Sequence, residues 1–318
     1  MTVLVTGANG FVGRAVCAEL RRRGASVRAA MRAPKPTDVD AVPMPDLGPE
    51  SDWSALLAGA AIDCVVHLAA RVHVMNDRAP DPLADFRLAN TAGTLQLARQ
   101  AASAGVRRFV YVSSIKVNGE ETLPGRPFVP RVTQAPRDPY GLSKFEAERG
   151  LAELSRDTGM EIVVVRPPLV YGPGVRANFL SMMRWIKRGV PLPLGAIDNR
   201  RSLVALDNLV DLLILGTEHP AAAGKTFLVS DGEDLSTTAL LRRMGSALGR
   251  PARLIPVPPI LLTSGAALLG RGDLARRLCG SLQVDVSETR EVLGWKPVVD
   301  VDAALSKTAA AFLSSDFA

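Results

Sequence analysis

The chain has 318 residues, 47% of them hydrophobic and 22% charged, enough for a full α/β core with a smaller second unit and too apolar for a disordered chain. Its formal net charge of +6 comes from scattered residues, 31 Arg and 7 Lys, with RRR at 21–23 as one short run at a helix end. The scatter argues for an anionic small substrate over nucleic acid, and the Arg surplus suits phosphate recognition.

Cys17, Cys64 and Cys279 are odd in number and lack disulfide or metal-ligand spacing, as in a reducing compartment, with no metal site. No basic, apolar leader precedes the first strand, which points to a cytoplasmic location. The most apolar stretch, IPVPPILLTSGAALLG from Ile255, holds three prolines and is too interrupted to span a membrane. It is expected inside a lobe or against a partner.

In chain order, Val3–Thr6 is short, apolar and β-branched, while Val12–Arg22 carries apolar residues at helical intervals. Gly7, Gly10 and Gly13 lie between the strand and the helix. In that setting Gly7 permits the turn, Gly10 lets the backbone approach a pyrophosphate and Gly13 lets helix and strand pack closely. The phosphates would sit on the free amides at the helix start.

SVRAAMR is the second strand, a helix follows near Asp52–Leu57, and DCVVHLAA is the next strand. A helix from about Pro82 to Ala104, the strand RRFVYVSS, a helix from Tyr140 to about Thr158 and the strand EIVVVRPP complete the alternation. The pattern predicts an α/β fold with a doubly wound parallel sheet.

Beyond Arg166 the chain turns rich in Pro and Gly around one helix, ANFLSMMRWIKRG. SLVALDNLVDLLILGTE and KTFLVSDG read as a return to the sheet, and the remainder from about Glu233 as a mainly helical lid. Residues 1–167, with a returning segment at about 203–230, are expected to bind a dinucleotide. Residues 168–202 and 231–318 would form a smaller, mainly helical substrate-binding lobe.

YGLSKFEAE places Tyr140 and Lys144 one helical turn apart on one face. Ligands of a parallel sheet bind beyond the carboxyl ends of its strands, so Ser113–Ser114 at the end of RRFVYVSS should meet this helix beside the glycine turn. A carbonyl that receives hydride needs an acid at its oxygen. Tyr140 can serve if a cation favours its phenolate, a field that Lys144 would supply. Ser114 would hold the same oxygen.

At these residues the chain resembles the extended short-chain dehydrogenase/reductase family, whose signature is TGxxGxxG, a Ser or Thr, and YxxxK, and the resemblance covers nearly the whole chain. It implies a Rossmann-type sheet and catalysis by Ser114, Tyr140 and Lys144. It implies a cofactor site of Gly7, Asn9, Gly10, Phe11, Val12, Gly13, Arg32, Asp46, Leu47, Leu68, Ala69, Ala70, Asn90, Tyr140, Lys144, Pro167 and Val170. The HLAA segment from His67 to Ala70 would lie beside the cofactor, although His67 read alone is a core histidine.

The later half is similar to the nucleotide-sugar branch, which implies a UDP-sugar substrate held by Ser114, Lys116, Asn178, Leu192, Leu194 and Arg201. YVSSIKVNGEE, RPPLVYGPG and FLVSDGEDLSTTALLRRM are most similar to reductases of bacterial polysaccharide clusters. They imply NADPH-dependent reduction of the C4 ketone of a UDP-4-keto-6-deoxy-N-acetylhexosamine, as in O-antigen synthesis.

NAD-using relatives close the second strand with Asp, where this chain has Met31 and Arg32. NADP(H) is therefore expected over NAD(H). An NAD-dependent UDP-hexose 4-epimerase and a non-catalytic dinucleotide sensor remain as alternatives. The family also implies a homodimer through the helices near 82–104 and 140–158; no nucleic-acid or membrane partner is expected.

Overall fold

The computed structural model describes residues 1–34, 41–58, 61–72, 81–268, 270 and 272–315; Leu269 of the apolar stretch lies outside them. The run Thr2–Thr6 forms β1 in the middle of a seven-stranded sheet. The other strands of this sheet are β2 (Ser26–Met31), β3 (Ala41–Pro43), β4 (Cys64–His67), β5 (Arg108–Val112), β6 (Glu161–Arg166) and β9 (Lys225–Leu228), in the order β3-β2-β1-β4-β5-β6-β9. Every pairing is parallel, as expected for strands linked by helical crossovers.

Strand alternation explains why both faces are apolar. Val3, Val5, Cys64, Val66 and Val163 pack under α1 (Phe11–Arg22) and α7 (Leu206–Glu218). Leu4, Val65, Phe109 and Tyr111 face the opposite layer, formed by α2 (Ser54–Leu57), α4 (Gly93–Ser103) and α5 (Pro139–Thr158). The order reverses at β1, where β2 lies on one side and β4 on the other. A crevice therefore opens beyond Thr6, His67 and Val112.

A second, three-stranded sheet, β10-β8-β7, is built from β7 (Leu169–Tyr171), β8 (Arg201–Ala205) and β10 (Asp234–Leu235). This corrects the expected return of residues 203–205 to the large sheet: α7 and β9 return, whereas β8 pairs with β7 and β10. An apolar SLVA run fits either sheet, and tertiary pairing decides between them.

A second core gathers Phe179, Met183 and Ile186 of α6 (Ala177–Arg188), Leu240, Leu241 and Met244 of α8 (Thr237–Ala247), and Val301, Leu305 and Phe312 of α12 (Val301–Ser315). Residues from Leu235 onward thus contribute to a second core. The same part of the chain holds α9 (Pro259–Leu268), α10 (Gly272–Cys279) and α11 (Ser287–Leu293). Phe11 at the start of α1 packs against both cores.

Two helical expectations change in detail. The helix near residue 52 is one turn, 54–57. The segment from Pro82 is α3 (Pro82–Phe86) and α4 joined by a π-helical turn, Arg87–Ala92. The short edge strand β3 was not foreseen.

Candidate functional site

The crevice begins at the glycine turn. Gly7 has φ +66°, and a Cβ there would lie 2.9 Å from the Ala69 amide nitrogen. A Cβ on Gly13 would stand 2.2 Å from the Gly7 carbonyl oxygen. The backbone is consequently bare where β1 hands over to α1, and no side chain caps the helix that starts after Gly10. Bare backbone at an uncapped helix start fits a pyrophosphate.

The other residues expected at the cofactor surround this turn. The Thr6 hydroxyl accepts from the Leu68 and Ala69 amides, each at 3.2 Å, holding 68–70 beside Gly7. Asn9 is exposed, and its carbonyl accepts from Arg14 Nε at 2.9 Å. The 46–48 loop is fixed by Ser51, whose hydroxyl donates to the Asp46 carbonyl and accepts from the Gly48 amide at 2.9 Å. It lies against Gly93, where a Cβ would meet the Leu47 backbone at 3.0 Å.

Arg32 is exposed just past β2 and has no hydrogen bond or ion pair among the described residues. The Pro167 carbonyl accepts from the Ile115 amide at 3.0 Å, which brings the end of β6 to Ser114. Val170 of β7 packs on the first core.

His67 and Asn90 are interior residues. His67 is 1% exposed and lies between the Thr6 hydroxyl at 2.7 Å and the Thr94 hydroxyl at 3.0 Å. Burial, helped by the Lys144 charge, lowers its imidazole to about 3, so it is a neutral core histidine. Asn90, on the π-helical turn, accepts from the Arg71 amide at 2.9 Å. It donates to the Arg71 carbonyl at 3.0 Å and to Ser143 Oγ at 3.1 Å, so it ties the chain after β4 to α5.

The start of α5 follows from DPYGLSK: Asp138 caps the helix by accepting from the Gly141 amide at 2.8 Å, and Pro139 occupies its first turn. This presents Tyr140 toward Ser114 at the end of β5, where the Ser114 hydroxyl acts on the phenol. The Phe86 ring meets the Tyr140 ring edge-on, with centroids 5.8 Å apart. Lys144, one turn on, is 2% exposed. Its ammonium donates to the Val112 carbonyl at 3.0 Å and lies 4.6 Å from the centroid of the Tyr111 ring.

The electrostatics differ from the expected cation-activated phenolate. Burial pushes the Tyr140 phenol up to about 12, opposed by the neighbouring Ser114 hydroxyl. Burial also brings the Lys144 ammonium down to about 7, opposed by the Glu148 charge. Burial thus favours the protonated phenol.

The residues expected at the substrate are not brought together at one place. Lys116 Nζ bonds Asp138 at 3.0 Å and Glu120 at 3.3 Å. Arg201 Nη1 donates to the Gly280 carbonyl at 3.0 Å, and burial lowers its pKa. Arg201 lines a charged cleft of about 300 Å³ with Arg137, Asp138, Glu120, Glu121, Arg276 and Arg277. Leu192 and Leu194 are buried in the second core and line a separate apolar pocket, whereas Asn178 is exposed on the first turn of α6.

Sequence reasoning missed Thr6, Ser143 and the Arg137, Arg276 and Arg277 side of the cleft. A threonine closing β1 was readable as a polar residue facing a crevice. The arginines were hidden because they reach Arg201 from two distant segments.

A parallel sheet reversing at a bare glycine turn, with Ser114 and Tyr140 paired across its edge, is the setting of dinucleotide-dependent oxidoreductase chemistry on an extended short-chain dehydrogenase/reductase fold. The chain belongs to the NAD dependent epimerase/dehydratase family, which matches residues 3–230.

A UDP-glucose 4-epimerase of Vibrio cholerae is 46% identical over 99% of this chain and 96% of that protein. A short-chain dehydrogenase/reductase superfamily protein of Agrobacterium tumefaciens, solved with bound NAD, superposes with a TM-score of 0.76 at 25% identity, covering 99% and 98% of the two chains. MoeE5 in complex with UDP-glucuronic acid and NAD gives 0.77 at 25% identity, covering 99% of this chain and all of the other.

Proposed function

We propose that this chain works at C4 of a UDP-hexose and that its net reaction is 4-epimerisation. The observation that carries this reading is the 46% identity, over nearly the full length of both chains, to a UDP-glucose 4-epimerase. The large sheet with α7 would be the dinucleotide-binding half, and the second core would hold the sugar nucleotide.

The residues present fit the dinucleotide. The Gly7–Gly13 turn and the amides opening α1 hold the pyrophosphate, with Asp46, Leu47 and the 68–70 segment flanking it. A dinucleotide held there would supply the hydride acceptor and donor for C4. Tyr140 exchanges a proton with the O4 atom, Ser114 holds O4 by its hydroxyl, and Lys144 sets the electrostatic field and reaches toward the ribose. Arg201, in the charged cleft, takes the substrate diphosphate. A homodimer through α4 and α5 is part of the proposal.

A second reading, NADPH-dependent reduction of a UDP-4-keto sugar, is favoured by Arg32. It is an exposed guanidinium past β2 with no partner among the described residues, and no carboxylate closes that strand to accept from a ribose and repel a 2′-phosphate. Tyr140, held protonated by burial, is also the acid that a ketone reduction needs.

The deciding experiment offers purified protein UDP-glucose without added cofactor, follows the product by NMR, and identifies the nucleotide released on denaturation. Epimerisation with co-purified NAD is the expected result. Turnover only of a UDP-4-keto sugar, and only with NADPH, replaces the first reading by the second.

A further inference from the structure

Helix α9, PILLTSGAAL, is apolar on every side, and none of its residues is buried. A helix of that composition belongs in an interior or against another apolar phase. Here Ile260, Leu261 and Leu268 are 71%, 62% and 89% exposed. The ridge continues onto neighbouring elements: an apolar pocket of about 280 Å³ joins Leu262 and Ala266 of α9 to Trp185 and Val190 at the end of α6. Trp185 is itself 43% exposed. A contiguous patch of this kind marks a contact surface.

Charge indicates what the surface meets. No Asp or Glu occurs in residues 162–197 or 235–272, which supply α9 and the α6 side of the patch, while Ala275, Leu278 and Cys279 of α10 complete the pocket. Arg184 and Arg188, flanking Trp185, and Arg253 are exposed and have no ion pair among the described residues. A two-fold contact between copies would bring two such cationic rims together on one interface. An apolar ridge carrying a tryptophan and rimmed by unpaired arginines matches a bilayer surface of negative charge, with the ridge at acyl depth and the guanidinium groups at the phosphates.

We propose that the α9 ridge, with Trp185 and its arginine rim, docks on an anionic lipid bilayer surface. This departs from the expectation of no membrane contact, which rested on the lack of a spanning segment. Among the described residues no helix is long and apolar enough to cross a membrane, so the contact is interfacial. It is independent of the reaction proposed above.

The test uses the full chain and vesicles of phosphatidylcholine alone or mixed with equal parts phosphatidylglycerol, read by co-sedimentation and tryptophan emission. Trp53 and Trp295 are 0% and 3% exposed, so a blue shift on adding vesicles reports Trp185. Binding and a blue shift with the anionic vesicles, and neither with the neutral ones, are expected.

Leu261→Asp should lower partitioning at least tenfold. Arg184→Ala and Arg188→Ala should each lower it about fivefold, the fold-change equivalent to about 1 kcal/mol per cation. Because Leu261 is exposed, its variant should keep the wild-type circular dichroism and thermal midpoint. Absence of wild-type binding to anionic vesicles, or equal partitioning of Leu261→Asp, overturns the proposal. A lipid-free loss of particle mass in Leu261→Asp also overturns it, in favour of a contact between copies.

Discussion

Replacing Lys144 by Met should make the dinucleotide-stripped protein more stable near pH 6, and the advantage should shrink as pH rises. Burial lowers the ammonium from 10.5 to about 7. At about 1.36 kcal/mol per pK unit, this sets a ceiling of about 5 kcal/mol on the cost of the buried charge. Relaxation around the group is expected to halve it, and losing the donor to the Val112 carbonyl costs about 1 kcal/mol, leaving a net gain of about 1.5 kcal/mol.

The sign with pH follows from the depressed folded value. Below about 7 both states hold the proton and the penalty is complete. Between about 7 and 10.5 the unfolded chain binds a proton that the folded chain lacks, so wild-type stability rises with pH. The Met variant lacks this contribution. Urea unfolding of both proteins at pH 6, 7.5 and 9 should show the gap narrowing at each step. A gap that stays constant across the series would refute the argument that the ammonium is held against its burial.

Three further outcomes are expected. Tyr140→Phe should keep the fold and dinucleotide affinity while turnover falls about 10²- to 10⁴-fold, since one proton-exchanging hydroxyl is lost; near-normal turnover contradicts the assignment. Gly13→Ala should weaken dinucleotide binding at least tenfold by fluorescence titration and lower the thermal midpoint, because its Cβ would stand 2.2 Å from the Gly7 carbonyl and a strained core contact costs about 1–3 kcal/mol. Arg32→Ala should cut any preference for NADPH over NADH to nearly none, from about tenfold for an exposed guanidinium; an unchanged ratio in paired titrations removes Arg32 from cofactor choice.

The large sheet was legible because its signals are local: β-branched runs of five or six residues, helices with caps, and glycines whose spacing has one steric meaning. The Ser114–Tyr140 contact was legible for the same reason, since the Asp138–Pro139 cap and the helical turn to Lys144 are written in consecutive residues. Other features depend on distant segments. The pairing of β8, the convergence of Arg201 with Arg276 and Arg277, and the exposure of α9 are decided by tertiary placement. The depressed Lys144 and raised Tyr140 pKa values also escaped, because both come from burial, to which residue spacing is blind.

The π-helical turn at Arg87–Ala92 also bears on ancestry. Such a turn accommodates one residue more than the α-helical path needs, and each added residue rotates the downstream helix by about 100°. Asn90 reaches both Arg71 and Ser143 from inside that turn, so its reach depends on the extra residue as much as on its amide. A homologue one residue shorter here would retain a regular helix, and an alignment would still match its asparagine, yet that side chain would be swung away from the 71–143 seam. Gap placement in this stretch therefore tracks a change of tertiary wiring that residue identity at position 90 would conceal.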